Sequence, residues 1–567
     1  MDHCHVEMET MQSPYEITTF RPEPGQRRPI CLGIALVGGL LAGPETWAQT
    51  PPDAGQILQQ SQPETIAPRS SSMTLELGGD PLVEEQGGGQ QITLSGVRFE
   101  GNTRFSDEEL KEAILDLLNE PLDLAGLRHL ANQVSRYYRQ QGYLFARAFL
   151  PAQSLDDGVL TLRVLEGRYG QAEATSDDAA LADAARPYLA PLTTGRLIES
   201  APLERQLLLL GDLPGLSVTP IMRPGAELGQ GDLDVRVGDA ERLAVELGAD
   251  NHGSRFSGEY RARATLAAHR VLSVGDELNL SALYTNEATW LGNISYSRPL
   301  GAKGLRGEVG YAHTDYTLGR GFEGYTGTAA VYSATLSYPL LRSQQANVSL
   351  SARYQYKDLD DDIDFADYRK ATESHSLPLG VRFDARDGLA RGGITFGTLT
   401  VTPGTLEQSQ TGMAESNYGF TKLNLNVARV QSLGHGLDLY GRLNAQWADR
   451  DDLDGSESIY LGGPYGVRAF PTGEGSDSRG WLAQMELRYR ASEALVPYLF
   501  YDLGHTPNGG LDRGDSRSLA GTGMGLRYQH AGFHLDISSA WEVRGGDALS
   551  DNHQRDPRIW ATAAYRF

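Results

Sequence analysis

Cysteine is nearly missing. The chain has two, Cys4 and Cys31, and both precede residue 49. A chain cut after residue 48 has no thiol for a disulfide, a thiolate nucleophile or a cysteine metal site. Long apolar runs are missing from the second half, which excludes a bundle of membrane-spanning helices, each needing about 20 apolar residues. That does not exclude a membrane β-barrel, whose strands turn only every second residue to lipid. Positive charge is in deficit: 50 basic against 73 acidic residues leave a net charge of −23. This argues against nucleic acid as a partner and against a polybasic membrane anchor.

Catalytic and cofactor signals are also lacking. The histidines are scattered, and His3 and His5 lie in the lead before the first apolar segment. Gly521-Thr-Gly-Met-Gly525 and Gly229-Gln-Gly231 are not followed by a helix pattern that could offer its N-terminus to a phosphate. No catalytic triad or carboxylate pair can be assembled from spacing alone, so we expect no enzyme, no cofactor and no metal. Asp358–Asp364, Asp-Leu-Asp-Asp-Asp-Ile-Asp, reads as a solvated loop at a strand end.

What is present falls into five stretches, residues 1–48, 49–90, 91–167, 168–240 and 241–567. Arg27 and Arg28, the apolar Ile30–Ala42 and Thr46-Trp-Ala48 give the three parts of a secretory signal, behind an extended lead. Its apolar part is about a dozen residues, too short to span a bilayer. Residues 49–90 begin with a short helix, Asp53–Gln60, with Asp53 as N-cap and Ile57 and Leu58 as apolar positions. Proline, serine and glycine then favour disorder or an extended tether. From Ile92 the order is β-α-α-β-β. Ser106-Asp-Glu-Glu109 is a capping box, and Leu127, Leu130, Val134 and Tyr138 stripe a second helix. A second, shorter unit spans 168–240, with an apolar helix around Leu203–Leu210.

After Arg242 the period becomes two. About sixteen alternating segments follow, an even number that closes a membrane barrel wide enough for an aqueous channel. The longest break, 450–478, falls between the eleventh and twelfth segments. It holds Leu461-Gly-Gly-Pro-Tyr-Gly-Val-Arg-Ala-Phe-Pro471, which no regular strand tolerates. On the thirteenth segment, Val496, Tyr498, Phe500 and Asp502 share a face, so Arg468 and Asp502 could form a charge-assisted pair.

Val467-Arg-Ala-Phe470 resembles the sixth-loop motif of the outer-membrane insertase and transporter superfamily, and Phe500-x-Asp502-x-Gly504 resembles its partner motif on the thirteenth strand. Ala469 departs from the usual glycine, and since alanine tolerates positive φ poorly, a different loop-tip backbone is expected there. The stretch from Val97-Arg-Phe-Glu-Gly-Asn102 to Leu165-Glu-Gly167 resembles a POTRA (polypeptide-transport-associated) domain, and Leu203–Gly215 resembles the helix-to-turn segment of a second. Together these resemble the two-partner secretion transporters. That resemblance implies two periplasmic α+β POTRA domains before a transmembrane antiparallel barrel in the outer membrane of a Gram-negative cell. It implies capture of an unfolded partner exoprotein and its passage through the barrel without ATP. It also implies Asp53–Gln60 as a plug helix, and Tyr565 and Phe567 as a C-terminal signal read by the barrel-assembly machinery before insertion into outer-membrane lipid. The alternatives are an insertase, which would normally carry more POTRA units, and a diffusion porin, which would need none.

Overall fold

The computed structural model describes residues 51–61, 67–68, 76–77, 91–118, 121–155, 157–510 and 515–567. The signal segment expected at 1–48 lies outside them.

Two small α+β units precede the barrel. In the first, strands Gly96–Glu100, Val159–Leu165 and Arg147–Phe149 form a sheet in that spatial order, with Val159–Leu165 central. Helices Asp107–Glu112 and Leu124–Gln140 cover it, and the capping box at Ser106 is formed in both directions. Leu110, Leu130, Val134, Leu160 and Leu162 meet in the core. The second unit, Arg168–Asp239, repeats the order β-α-α-β-β, and Leu203, Leu207, Leu209 and Leu210 turn its last helix onto the sheet.

The tether is partly sheet. Glu76–Leu77 pairs in parallel with Ile221 and Met222, adding an edge strand to the second unit. Backbone hydrogen bonding sets this pairing, and the polar composition of the tether carries no sign of it. The second unit docks on the turn 343–345 of the barrel. Arg342 donates to Asp212 at 2.6 and 2.8 Å, and Glu204 accepts the Gln344 N–H at 2.6 Å.

Glu166 closes the first unit just before the second begins. Its carboxylate accepts the N–H groups of Thr103 (2.6 Å) and Arg104 (2.7 Å), the Tyr138 hydroxyl (3.1 Å) and the Thr103 hydroxyl. Burial alone would raise its pKa, but these donors outweigh burial and hold the carboxyl below the ordinary glutamate range. A depressed folded-state pKa contributes stability above the unfolded value, about 4.3, which is lost as pH falls through the folded one. The calorimetric transition of the two α+β units should therefore hold down to about pH 5 and fall below about pH 4. Glu166→Gln should lower it at neutral pH by about 1.5–3 kcal/mol and flatten the acid loss. Parallel acid curves for variant and parent would contradict this.

The barrel closes with sixteen antiparallel strands. They are β1 (Leu243–Asp250), β2 (Arg261–His269), β3 (Glu277–Thr285), β4 (Trp290–Pro299), β5 (Arg306–Thr317), β6 (Tyr325–Arg342), β7 (Ala346–Ile363) and β8 (Tyr368–Ser376 continued by Leu379–Asp387). There follow β9 (Gly393–Gln410), β10 (Ser416–Gly434), β11 (Leu437–Ala448), β12 (Gly480–Tyr489), β13 (Leu495–Thr506), β14 (Arg517–His530), β15 (Phe533–Arg544) and β16 (Arg558–Arg566). β16 pairs back onto β1. β8 is interrupted at Pro378, which has no N–H to donate, yet both halves keep β7 and β9 as neighbours. Outside, Trp290, Tyr311, Tyr332 and Tyr354 are exposed, as at a membrane interface.

Asp358–Ile363 is strand, not loop: the β7 ladder continues through it against both β6 and β8. The apolar-polar alternation stops where the strands rise past the hydrocarbon, but the backbone pairing does not. Asp361 consequently points inward, while Asp360 on the other face pairs with Arg369. Among the described residues, no group of His, Cys, Asp and Glu is placed to hold a metal ion.

Candidate functional site

The loop between β11 and β12 folds into the lumen, on the face opposite the α+β units. Its tip carries Arg468, which is 4 % exposed. Nε and Nη2 donate to the two oxygens of Asp502 at 2.8 and 2.7 Å, a bidentate fork, and the Arg468 N–H adds a third bond at 3.1 Å. The guanidinium carbon lies 3.6 Å from the centre of the Phe500 ring. The Arg468 carbonyl accepts the Trp560 indole N–H at 2.7 Å.

Motif spacing identified Arg468 and Asp502 but not Glu486 on β12. Nη1 of Arg468 donates to Glu486 at 2.7 Å, and Arg488 and Arg527 also donate to that carboxylate. The signal was the alternation Leu482, Gln484, Glu486, Arg488, which places Glu486 on the wet face. Only the cross-strand register, Glu486 opposite Phe500, puts it beside Arg468.

Small residues make room for the tip. Gly521, Gly523 and Gly525 of β14 lie opposite Asp502, Phe500 and Tyr498. A Cβ on Gly523 would come within 2.3 Å of the Phe500 ring, and one on Gly521 within 2.7 Å of the Ala469 methyl. Gly504 likewise clears space for Leu461 and Val467. Val467, Ala469 and Phe470 are buried with Leu461, Leu482 and Leu519. Ala469 does not adopt positive φ, so its methyl causes no backbone strain, and it packs against Gly521.

More ion pairs hold the loop. Glu457 meets Lys357 at 2.6 Å and Lys422 at 2.7 Å, and Arg517 meets Glu474 at 2.7 Å. Sequence reasoning missed Glu457 and Glu474 because charged residues in a long loop name no partners until the strands are placed.

Helix α1 (Ala54–Ser61) also lies inside the barrel. Asp53 caps it, accepting the Gln56 N–H at 2.9 Å, and Asp361 accepts the Ala54 N–H at 2.7 Å. Both carboxylates thus sit at the positive end of the helix. Ala54, Ile57 and Leu58 pack on Phe256, Tyr316, Leu318 and Leu359 of the wall and its loops. Lys370 lies 3.0 Å from both Asp53 and Asp454, which ties α1 to the loop. Tyr565 and Phe567 belong elsewhere: they are exposed at the end of β16, ring centres 4.8 Å apart.

A closed sixteen-stranded barrel that keeps one of its own loops on its inner wall, behind β-α-α-β-β units, belongs to the class of outer-membrane transport barrels. Residues 229–528 match the family described as haemolysin secretion/activation protein ShlB/FhaC/HecB, and residues 92–167 match the ShlB-type POTRA domain. The first match spans more than half the chain, and the chain belongs to that family. Among curated relatives, the heme/hemopexin transporter protein HuxB of Haemophilus influenzae is 26% identical, over 92% of this chain and 97% of that one. The hemolysin transporter protein ShlB of Serratia marcescens is 25% identical, over 84% and 86%. The solved structure of CdiB from Escherichia coli superposes with a TM-score of 0.65 over 91% of this chain and 96% of that one, at 20% identity, and supports the fold. The protein is an outer-membrane transporter of the two-partner secretion kind, its POTRA region on the periplasmic side.

Proposed function

We propose that the chain captures an unfolded exoprotein, of haemolysin or adhesin type, at its POTRA units and passes it through the barrel to the cell surface without ATP. The observation that carries this is the occupancy of the lumen by two elements of the same chain, α1 and the β11–β12 loop. Both are held by side-chain contacts rather than by the barrel ladder, so both can leave without opening the wall. In this reading Val467–Phe470 with Phe500, Asp502 and Gly504 form a releasable lid, and Asp53, Ile57 and Leu58 belong to a plug. Residues 91–167 and 168–240 act as two POTRA domains. Phe567 is the residue presented to the barrel-assembly machinery.

The first unit offers strand Gly96–Glu100 at a sheet edge, with one ladder neighbour among the described residues. An extended client could add there through backbone bonds. Deleting residues 92–167 should abolish secretion while leaving a heat-modifiable barrel in the outer membrane. Comparing secreted polypeptides with and without the chain should reveal one large missing client. Normal secretion by the deletion would remove the capturing role, and an unchanged secretome would remove the transport reading.

A further inference from the structure

With α1 and the loop in place, a cavity of about 710 Å³ remains in the lumen. The end of α1 and the loop segment 462–466 bound one side, and the wall from β5 to β11 bounds the other. Arg306, Arg353, Arg382, Arg442, Lys357 and Lys422 line it, against two carboxylates, Glu308 and Glu457. Arg261 also reaches it but is paired to buried Asp250 at 2.6 Å. Glu457 is shared between Lys357 and Lys422, and Glu308 lies 3.7 Å from Arg353. Arg306 donates to the Ser297 hydroxyl and the Gly275 carbonyl, and Arg442 donates to Asn426. Arg382 is exposed to the cavity and has no hydrogen bond or ion pair among the described residues. Positive charge is therefore left over along this wall, in a protein whose net charge is −23.

We propose that the β5–β11 wall is a track for anionic, polar, extended polypeptide, and that the open pore passes anions in preference to cations. This rests on the reading that a client crosses the lumen. A narrow channel with low-dielectric walls focuses the field of such cations and raises the local concentration of anions. Ser349, Ser351, Thr398 and Thr400, between these cations, add hydroxyl groups that can hydrogen-bond to an extended backbone. Contacts from solvated guanidinium groups are individually weak, so a chain held by them can slide.

The test uses the full chain and its Arg382→Gln/Arg442→Gln variant in planar bilayers under a tenfold KCl gradient. The reversal potential should show chloride several-fold more permeant than potassium, and the variant should move toward parity. In about 0.1 M KCl, where the Debye length is about 10 Å, a twelve-residue alternating Asp-Thr peptide added from the periplasmic side should block current about tenfold more often than its Lys-Thr counterpart. The same two peptides, fluorescently labelled, should bind the detergent-solubilised chain with the same preference whether or not the pore opens. Potassium preference, equal binding of the two peptides, or selectivity untouched by the variant would overturn the proposal. An anion-selective pore in a chain whose loss removes no secreted polypeptide would dismiss the transport reading and the track with it, and keep only the anion selectivity. Normal secretion through a non-selective pore would keep the transport reading and dismiss the track.

Discussion

Arg468→Ala should abolish most transport, and Asp502→Ala should do less harm, although the two residues form one pair. Arg468 is shared between Asp502 and Glu486, each 2.7 Å away, and Asp502 is fully buried. Removing the arginine leaves a buried carboxylate without a counter-charge, which costs about 3–5 kcal/mol. Removing Asp502 leaves Arg468 with Glu486 and forfeits about 1.5–3 kcal/mol, the worth of hydrogen bonds to a charged group. The Arg468→Ala/Asp502→Ala double variant should be no worse than Arg468→Ala, because the stranded charge leaves with its partner. Arg468→Lys should rescue little, since an ammonium cannot fork onto Asp502 while reaching Glu486. Exchanging the two charges should fail as well, because an arginine at 502 would lie near Arg527 while Glu486 would face an aspartate.

Two measurements separate a released loop from a damaged barrel. Secreted client is compared at matched transporter levels, and Tyr465→Cys in the loop is labelled from outside with an impermeant maleimide. Labelling should speed up in the Arg468 variant while heat-modifiability stays intact. An Asp502 defect equal to or larger than the Arg468 defect would mean that Glu486 does not share the arginine, and additive defects in the double variant would mean that Arg468 and Asp502 do not pair.

Much of this was legible in the chain. Period two marked all sixteen strands, because one face of each meets lipid and the other water. The capping box at Ser106 and the stripe Leu127–Tyr138 marked the two helices of the first unit, and the wording from Val97 to Gly167 carried its resemblance to a POTRA domain. Arg468 and Asp502 stood out because their neighbours, glycines and alternating aromatics, fixed the elements that present them. The strand ends were less legible: β7 runs to Ile363 through an acidic stretch with no apolar face, since backbone pairing persists where alternation ends. Partners set by register, such as Glu486 opposite Phe500 or Lys370 opposite Asp361, cannot be read before the strands are aligned. The roles of Gly521, Gly523 and Gly525 were hidden for the same reason. As a motif they resembled a phosphate loop and failed that test, whereas their use is steric and lies across the strand.

Lys370→Met should unplug the pore while the loop tip stays seated. The Lys370 ammonium is 3.0 Å from Asp53, 3.0 Å from Asp454 and 4.0 Å from Asp361, so one cation neutralises carboxylates from the helix, the loop and the wall. Without it these carboxylates repel one another at the N-terminus of α1. The loss, about 3–5 kcal/mol, is comparable to burying both Ile57 and Leu58, at about 1.5–3 kcal/mol each. At 1.4 kcal/mol per tenfold, it should lower the plugged fraction relative to the unplugged by at least about a hundredfold. The loop keeps separate anchors at Arg468 and at Glu474–Arg517, on strands far from β8. Bilayer conductance should therefore rise to that of a chain lacking residues 49–90, with maleimide labelling at position 465 unchanged. Asp53→Asn should weaken the plug less, and adding it to Lys370→Met should relieve part of the repulsion. If conductance stays at the parent level in a pore that the 49–90 deletion does open, Lys370 does not hold the helix. If labelling at 465 rises as much as in Arg468→Ala, helix and loop leave as one unit and are not separately anchored.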